Sequence, residues 1–255
     1  MDSRNLAEGA ARYNAVILAS PARRAWRIYR RGLRVRAAET TARAGAEHFP
    51  VPAIALRHRR SDALLRMLDV VLAVLALLVL GPLMVFIAVA VAVSSRGPIL
   101  FRQTRYGLGG RPFTILKFRT MRCQENGGHV QQARRDDPRV TRVGRLLRQL
   151  SLDELPQLIN VVAGAMSLVG PRPHALAHDW AFSRAVPAYG YRFGVRPGIT
   201  GLAQIHGMRG EVSSSTQIRN RVLYDVLYVR RRGVLLYCRV LLATIALVCF
   251  QDEAY

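Results

Sequence analysis

Two adjacent carboxylates, Asp153 and Glu154, stand in the string SLDELPQL. A carboxylate can act as a nucleophile toward phosphorus, and Mg2+ typically takes one or two carboxylates together with substrate phosphates. Arginines cluster around this pair in the sequence. Arg145 and Arg148 precede it by one or two helical turns, and Arg119 and Arg172 occupy flanking strand ends or loops. Arg172 (in GPRP) and Arg196 (in RPG) sit in rigid turns that can fix a guanidinium fork on phosphate. Paired acids with gathered arginines meet the needs of a Mg2+–diphosphate site. A plainer reading stands beside it: Ser151 and Glu154 also spell S-x-x-E, a helix capping box, and acids favour a helix N-terminus. His174 and His178 are four apart and could share a helix face, but no Glu lies between them as in a zinc protease. Walker A, GxGxxG after a strand, GxSxG and zinc-finger spacings are all missing.

The elements that must position these groups are mostly helical. Leu155, Leu158, Ile159 and Val162 follow helical spacing, which predicts a helix over 151–163 with Gly164 as its stop. Shorter helices are expected over 142–150 and 174–186, and a longer one over 213–232 ending in Arg230, Arg231 and Arg232. Residues 99–121 read as two strands around a GLGG turn. Residues 122–138 and RPGITG (196–201) read as loops. The tail 233–250 is apolar but short and interrupted by Arg239, so an interfacial helix is expected. Residues 70–93 carry no charge over 24 positions, enough to reach across a bilayer. Gly81-Pro82 interrupts this stretch, and proline costs a helix one backbone hydrogen bond. Both flanks are rich in arginine, which favours the same, cytoplasmic side for each end. A re-entrant hairpin satisfies both facts; a kinked span remains the alternative.

Composition narrows the class. The chain has 255 residues, a formal charge of +22 and 51% hydrophobic residues, which excludes disorder throughout. Three cysteines, Cys123, Cys238 and Cys249, form no metal or disulfide pattern and read as reduced packing thiols. Only Lys117 among 38 basic residues is lysine. Residues 1–60 carry a net +9 and the remainder +13, so the charge is spread along the chain. No apolar stretch follows Met1, so no signal peptide is expected. Apolar and basic character together suggest a protein facing anionic lipid; the 70–93 segment argues against a soluble nucleic-acid binder.

In order, the strings GPILFRQTRYG, LKFRTM, DPRVTRVGRLLRQLSLDELPQL, MSLVGPRP, RPGITGLAQ and YDVLYV resemble the bacterial sugar transferases, the monotopic polyprenyl-phosphate phosphoglycosyl transferases. The resemblance covers about residues 62–248. It implies an α/β fold, mostly α with a small antiparallel β-hairpin. The family is monotopic, with a re-entrant membrane helix broken at proline (here Gly81 and Pro82) and interfacial amphipathic helices. Three parts follow: a basic N-terminal arm over 1–60, the membrane helix-break-helix over 61–97 and a catalytic domain over 98–255. The resemblance further implies transfer of a sugar-1-phosphate from a UDP-sugar, glucose or galactose favoured, to undecaprenyl phosphate, releasing UMP. Asp153 would be the nucleophile, Glu154 its partner, both would bind Mg2+, and Arg148 and Arg172 would hold phosphate. PRPHALAHDW resembles the exopolysaccharide-initiating subgroup. The implied place is the cytoplasmic face of the bacterial inner membrane, among membrane lipids, with no nucleic acid; a homodimer and downstream glycosyltransferases are candidate partners. Arg230, Arg231 and Arg232 stand where Glu-Asn-Trp is common, and Tyr237 replaces a usual Asp. A catalytically silent scaffold of the same fold is the alternative reading.

Overall fold

The structure, a computed structural model, describes residues 48–52, 55, 61–122, 137–208, 210 and 214–250. Most of the expected arm over 1–60, most of the 122–138 loop, and Cys123 lie outside the described residues. Helix α1 (Ser61–Ser94) is followed by strands β1 (Leu100–Tyr106) and β2 (Pro112–Phe118), then helices α2 (Arg142–Gln149) and α3 (Gln157–Val162). Strand β3 (Ser167–Val169), helix α4 (Leu176–Ala185), strand β4 (Gly198–Thr200) and helices α5 (Leu202–Ile205), α6 (Ser215–Arg231) and α7 (Val234–Phe250) complete the order. The described part is thus mostly helical with a small antiparallel sheet, and α1 alone among the described helices is long and apolar enough to cross a membrane.

β1 and β2 pair antiparallel from Leu100↔Phe118 to Tyr106↔Pro112, as the alternating 99–121 string predicts. β3 and β4 form a second, parallel pair, Ser167↔Gly198 and Val169↔Thr200. The expected loop over 196–201 therefore holds a strand, and residues 167–169, for which no element was expected, supply its partner. The two strands can pair because Gly170 and Gly198 pack backbone to backbone; a Cβ on Gly198 would stand 2.0 Å from the Gly170 nitrogen.

α1 lies against this domain at both ends. Its first half buries Leu65 with Val169, Tyr228 and Val240, and Ala73 with Ile115 and Leu158. Its second half buries Ile87 and Val91 with Phe118 and Leu147. Between them Leu78, Val79, Val85 and Phe86 are exposed. The helix is assigned without interruption through Pro82. Polar residues secure its first turns. Arg232 donates to both oxygens of Asp62 at 2.8 and 2.9 Å. Arg66 donates to the carbonyls of Val161 and Val162 at the C-terminal end of α3, where the Val161 carbonyl also accepts from Gly164 N. Buried Asp69 accepts from Ser167 Oγ, Leu168 N and the Tyr237 hydroxyl. Two departures from the resembled pattern, Arg232 and Tyr237, thus tie α6 and α7 to α1.

Other expectations need correction. Cys238 is exposed on α7 rather than packed. Ser151 has left-handed backbone (φ 55) and its side chain caps nothing, so the S-x-x-E capping box does not form. Leu152–Glu154 instead makes one 3-10 turn, and α3 begins only after Pro156.

Candidate active site

Three elements converge on the carboxylate pair. The 3-10 turn carries Asp153 and Glu154 just ahead of α3. Asn160 on α3 replaces a strand partner for β2: its Oδ1 accepts from Leu116 N at 2.9 Å and its Nδ2 donates to Thr114 O at 2.8 Å. That pairing registers α3 on the hairpin and sets Lys117 opposite the turn. The GPRP segment after β3 brings in Arg172.

Glu154 is clamped. Lys117 Nζ lies 2.7 Å from Oε1, and Arg172 donates to both oxygens, at 2.9 Å to Oε2 and more closely to Oε1. Burial pushes its pKa up, but the adjacent Arg172 and Lys117 outweigh burial and hold it well below the usual carboxylate range. Asp153 is left open, with no hydrogen bond to its carboxylate among the described residues. Burial, joined by the Glu154 charge, raises its pKa, against the pull of Lys117, Arg172 and Arg148. Neighbouring carboxylates thus have opposite settings: one locked and ionised, the other free and less acidic than usual.

Arg172 is itself held from behind. Arg192 donates to the Arg172 carbonyl, and Arg105 on β1 donates to the Pro173 carbonyl. Arg192 is 2% exposed and pairs with Asp225 at 3.1 Å. Its Nη1 donates to the Tyr189 hydroxyl at 2.7 Å, and that hydroxyl donates to Asp179 at 2.5 Å. His174 Nδ1 accepts from Arg192 Nη1 at 2.8 Å, and burial with the Arg192 charge keeps the ring neutral, well below the usual histidine range. His174 precedes α4, so His174 and His178 do not share a helix face as expected. Among the described residues no three His, Cys, Asp or Glu gather as metal ligands.

The structure brings Asp153, Glu154, Arg148 and Arg172 together; Arg145 is exposed on α2. Arg119 and Arg196 are committed elsewhere. Arg119 is buried at the end of α1, donating to Pro98 O at 2.5 Å, to Val91 O at 3.2 Å and to Ser95 O. Arg196 donates to Gly164 O, beyond the opposite end of α3 from the dyad. Sequence reasoning gave Lys117 no role at the site. Its signal was compositional: a single lysine in a chain whose other basic residues are arginines, on a strand next to the site.

Residues 60–251 match the family described as bacterial sugar transferase. The chain belongs to that family. A UDP-glucose:undecaprenyl-phosphate glucose-1-phosphate transferase of Caulobacter vibrioides is 48% identical over 206 residues, 81% of this chain and 75% of that protein. A protein of the same description from Escherichia coli K12 is 48% identical over 187 residues, 73% of this chain and 40% of its own length. A UDP-N-acetylgalactosamine-undecaprenyl-phosphate N-acetylgalactosaminephosphotransferase of Aeromonas hydrophila is 41% identical over 181 residues, 71% of this chain and 42% of its own. This chain therefore spans less than half the length of the last two sugar transferases.

Proposed function

We propose that this chain transfers a sugar-1-phosphate from a UDP-sugar to undecaprenyl phosphate, with glucose the first donor to test. The observation that carries the reading is the contrast within the dyad: Asp153 open, Glu154 gripped by Lys117 and Arg172. Asp153 attacks the sugar-linked phosphorus, an Asp153 Oδ–P bond forms, the P–O bond to UMP breaks and UMP leaves. A phosphate oxygen of the lipid then attacks the same phosphorus and frees the carboxylate. Lys117 and Arg172 keep Glu154 ionised and fixed beside the reacting group, and Arg148 adds positive charge toward developing phosphate charge. The donor set fits one Mg2+ that arrives with its diphosphate, since Asp153 is open and Glu154 Oε2 accepts a single hydrogen bond. When bound, the ion would neutralise diphosphate charge and polarise the breaking bond.

The relatives' shared acceptor supports a lipid substrate, and so does a cleft of ≈ 900 Å³ whose lining includes Phe118, next in the chain to Lys117, and Pro156, two residues after Glu154. Met84, Ala88, Leu100, Phe101 and Ile159 give it apolar walls, and Arg96 and Arg102 stand among them. In the same reading α1 is re-entrant: both halves pack on one domain, and the exposed turns around Gly81 and Pro82 dip into the inner leaflet of the cytoplasmic membrane. The active site then faces the cytoplasm, where it initiates exopolysaccharide synthesis.

The test is UMP release by purified protein with Mg2+, undecaprenyl phosphate and a panel of UDP-sugars. Release by the parent and none by Asp153→Asn is expected. Donor without lipid should add the mass of one sugar phosphate to the parent alone. Folded parent that releases no UMP with any donor would overturn the proposal.

A further inference from the structure

Residues 48–52 and Ala55 precede the family match, yet they are built into the domain. Phe49 is 3% exposed within a box of aromatic rings. Its ring centroid lies 4.7 Å from Trp180 and from Phe193, 5.4 Å from Tyr106 and 6.1 Å from Tyr189. The backbone is seated just as closely. Phe49 N donates to Gly110 O at 2.9 Å. A Cβ on Gly110 would meet Phe49 O at 2.1 Å, one on Gly190 would meet Pro50 O at 2.9 Å, and one on Gly194 would meet Ala55 O at 2.2 Å. Three glycines thus leave the room in which this strap lies.

Two of the rings around Phe49 bear on the arginines that hold the GPRP segment. Tyr106 follows Arg105, the donor to the Pro173 carbonyl. Tyr189 receives a hydrogen bond from Arg192, the donor to the Arg172 carbonyl. Trp180, another wall of the box, follows Asp179, the acceptor of the Tyr189 hydroxyl. Phe49 therefore wedges the wall from which both carbonyl grips are made. We infer that Phe49 is a positioning residue for Arg172, acting through Tyr106–Arg105 and Tyr189–Arg192, and that the strap before the family-matched region is a working part of the catalytic site.

The inference rests on the proposed reaction for its kinetic readout, so a second readout is independent of activity. Full-length Phe49→Ala is compared with the parent and with Gly194→Ala, which pushes on the strap without touching the aromatic box. Hydrogen exchange of peptides covering 186–198 should accelerate at least tenfold in both variants, with α2 unchanged. The ordered rings and the Gly198 N–H bond to Pro171 O lie in or beside that stretch. In UMP release, a loosened Arg172 holds the donor phosphate less firmly, so the KM for the UDP-sugar should rise at least fivefold in both variants. A merely structural residue would reduce the amount of active protein, lowering the apparent kcat and leaving KM in place. Unchanged exchange over 186–198, or a lowered apparent kcat with KM unmoved, would overturn the inference. A parent inactive with all donors overturns the proposed reaction instead, and the exchange comparison still decides the role of the strap.

Discussion

At the scale of single residues, the proposed reaction rests on two neighbouring carboxylates with different surroundings. Lys117 is the residue on which that difference turns most simply, because it donates to Glu154 and also lowers the Asp153 pKa. Lys117→Met leaves the strand pattern intact and removes the charge. Its kcat should fall about 10²–10³-fold, the usual cost of deleting one preorganised donor, and its acid limb should move to higher pH because both carboxyls lose a cation. Lys117→Arg should not restore the parent rate, since a planar fork does not replace a compact ammonium. A second residue reports on the network behind Arg172. Burial raises Asp179 to about 7, against the pull of Arg192. A carboxyl whose pKa is higher in the folded protein binds its proton more tightly there. Its contribution to stability is present below the unfolded value near 4 and is lost as pH rises through 7. Asp179→Asn imitates the protonated form and should lack that loss. The melting temperature of the variant minus that of the parent should therefore rise between pH 4 and pH 8; a constant difference would contradict the assignment.

At the scale of elements, α1 makes the sharpest claim. Helix geometry gives 34 residues a length of about 51 Å, well beyond the ~30 Å apolar core of a bilayer. A straight span would carry its two ends to opposite faces, yet Leu65 and Val91 pack on the same domain. Single cysteines at exposed Leu64 and Val93, in a background with Cys123, Cys238 and Cys249 replaced by Ser, should both be shielded from an impermeant maleimide in intact cells. Both should react in inverted membrane vesicles; labelling of one from each side would establish a span. How much of this was legible in the sequence depends on the range of the forces involved. The hairpin, α2, α6 and α7 were readable because alternation and helical spacing record local burial. The β3–β4 pair was not, because three-residue strands carry no periodicity and meet only through the close approach of Gly170 and Gly198. The dyad was legible as a motif, but the capping reading of Glu154 failed: charge-assisted bonds from Lys117 and Arg172 claim that carboxylate, and Ser151 turns left-handed. Arg119 and Arg196 look like Arg172 in sequence. Only three dimensions distinguish a guanidinium that closes off backbone carbonyls from one that faces the site.

At the scale of the whole molecule, two forces attract the protein to a membrane, and they respond differently to salt. The chain carries a formal +22, and each basic group near an anionic leaflet is worth about 1 kcal/mol at physiological ionic strength. At 1 M salt the screening length shrinks to about 3 Å and most of that attraction is gone. The apolar contribution persists. Val79, Val85 and Phe86 are each at least 66% exposed, and a large apolar side chain moved fully out of water contributes about 1.5–3 kcal/mol. Leu235, Leu242 and Ile245 extend a similar surface along α7. Membranes washed with 1 M salt or alkaline carbonate should therefore retain the protein in the pellet, and detergent should release it. Replacing Val79, Val85 and Phe86 together by Ser removes the part of α1 that no core residue covers. The triple variant should keep its fold and its attachment at low salt, where charge suffices, but enter the supernatant at 1 M salt. Release of the parent by salt alone would mean that charge carries the attachment and that the exposed face of α1 has another partner.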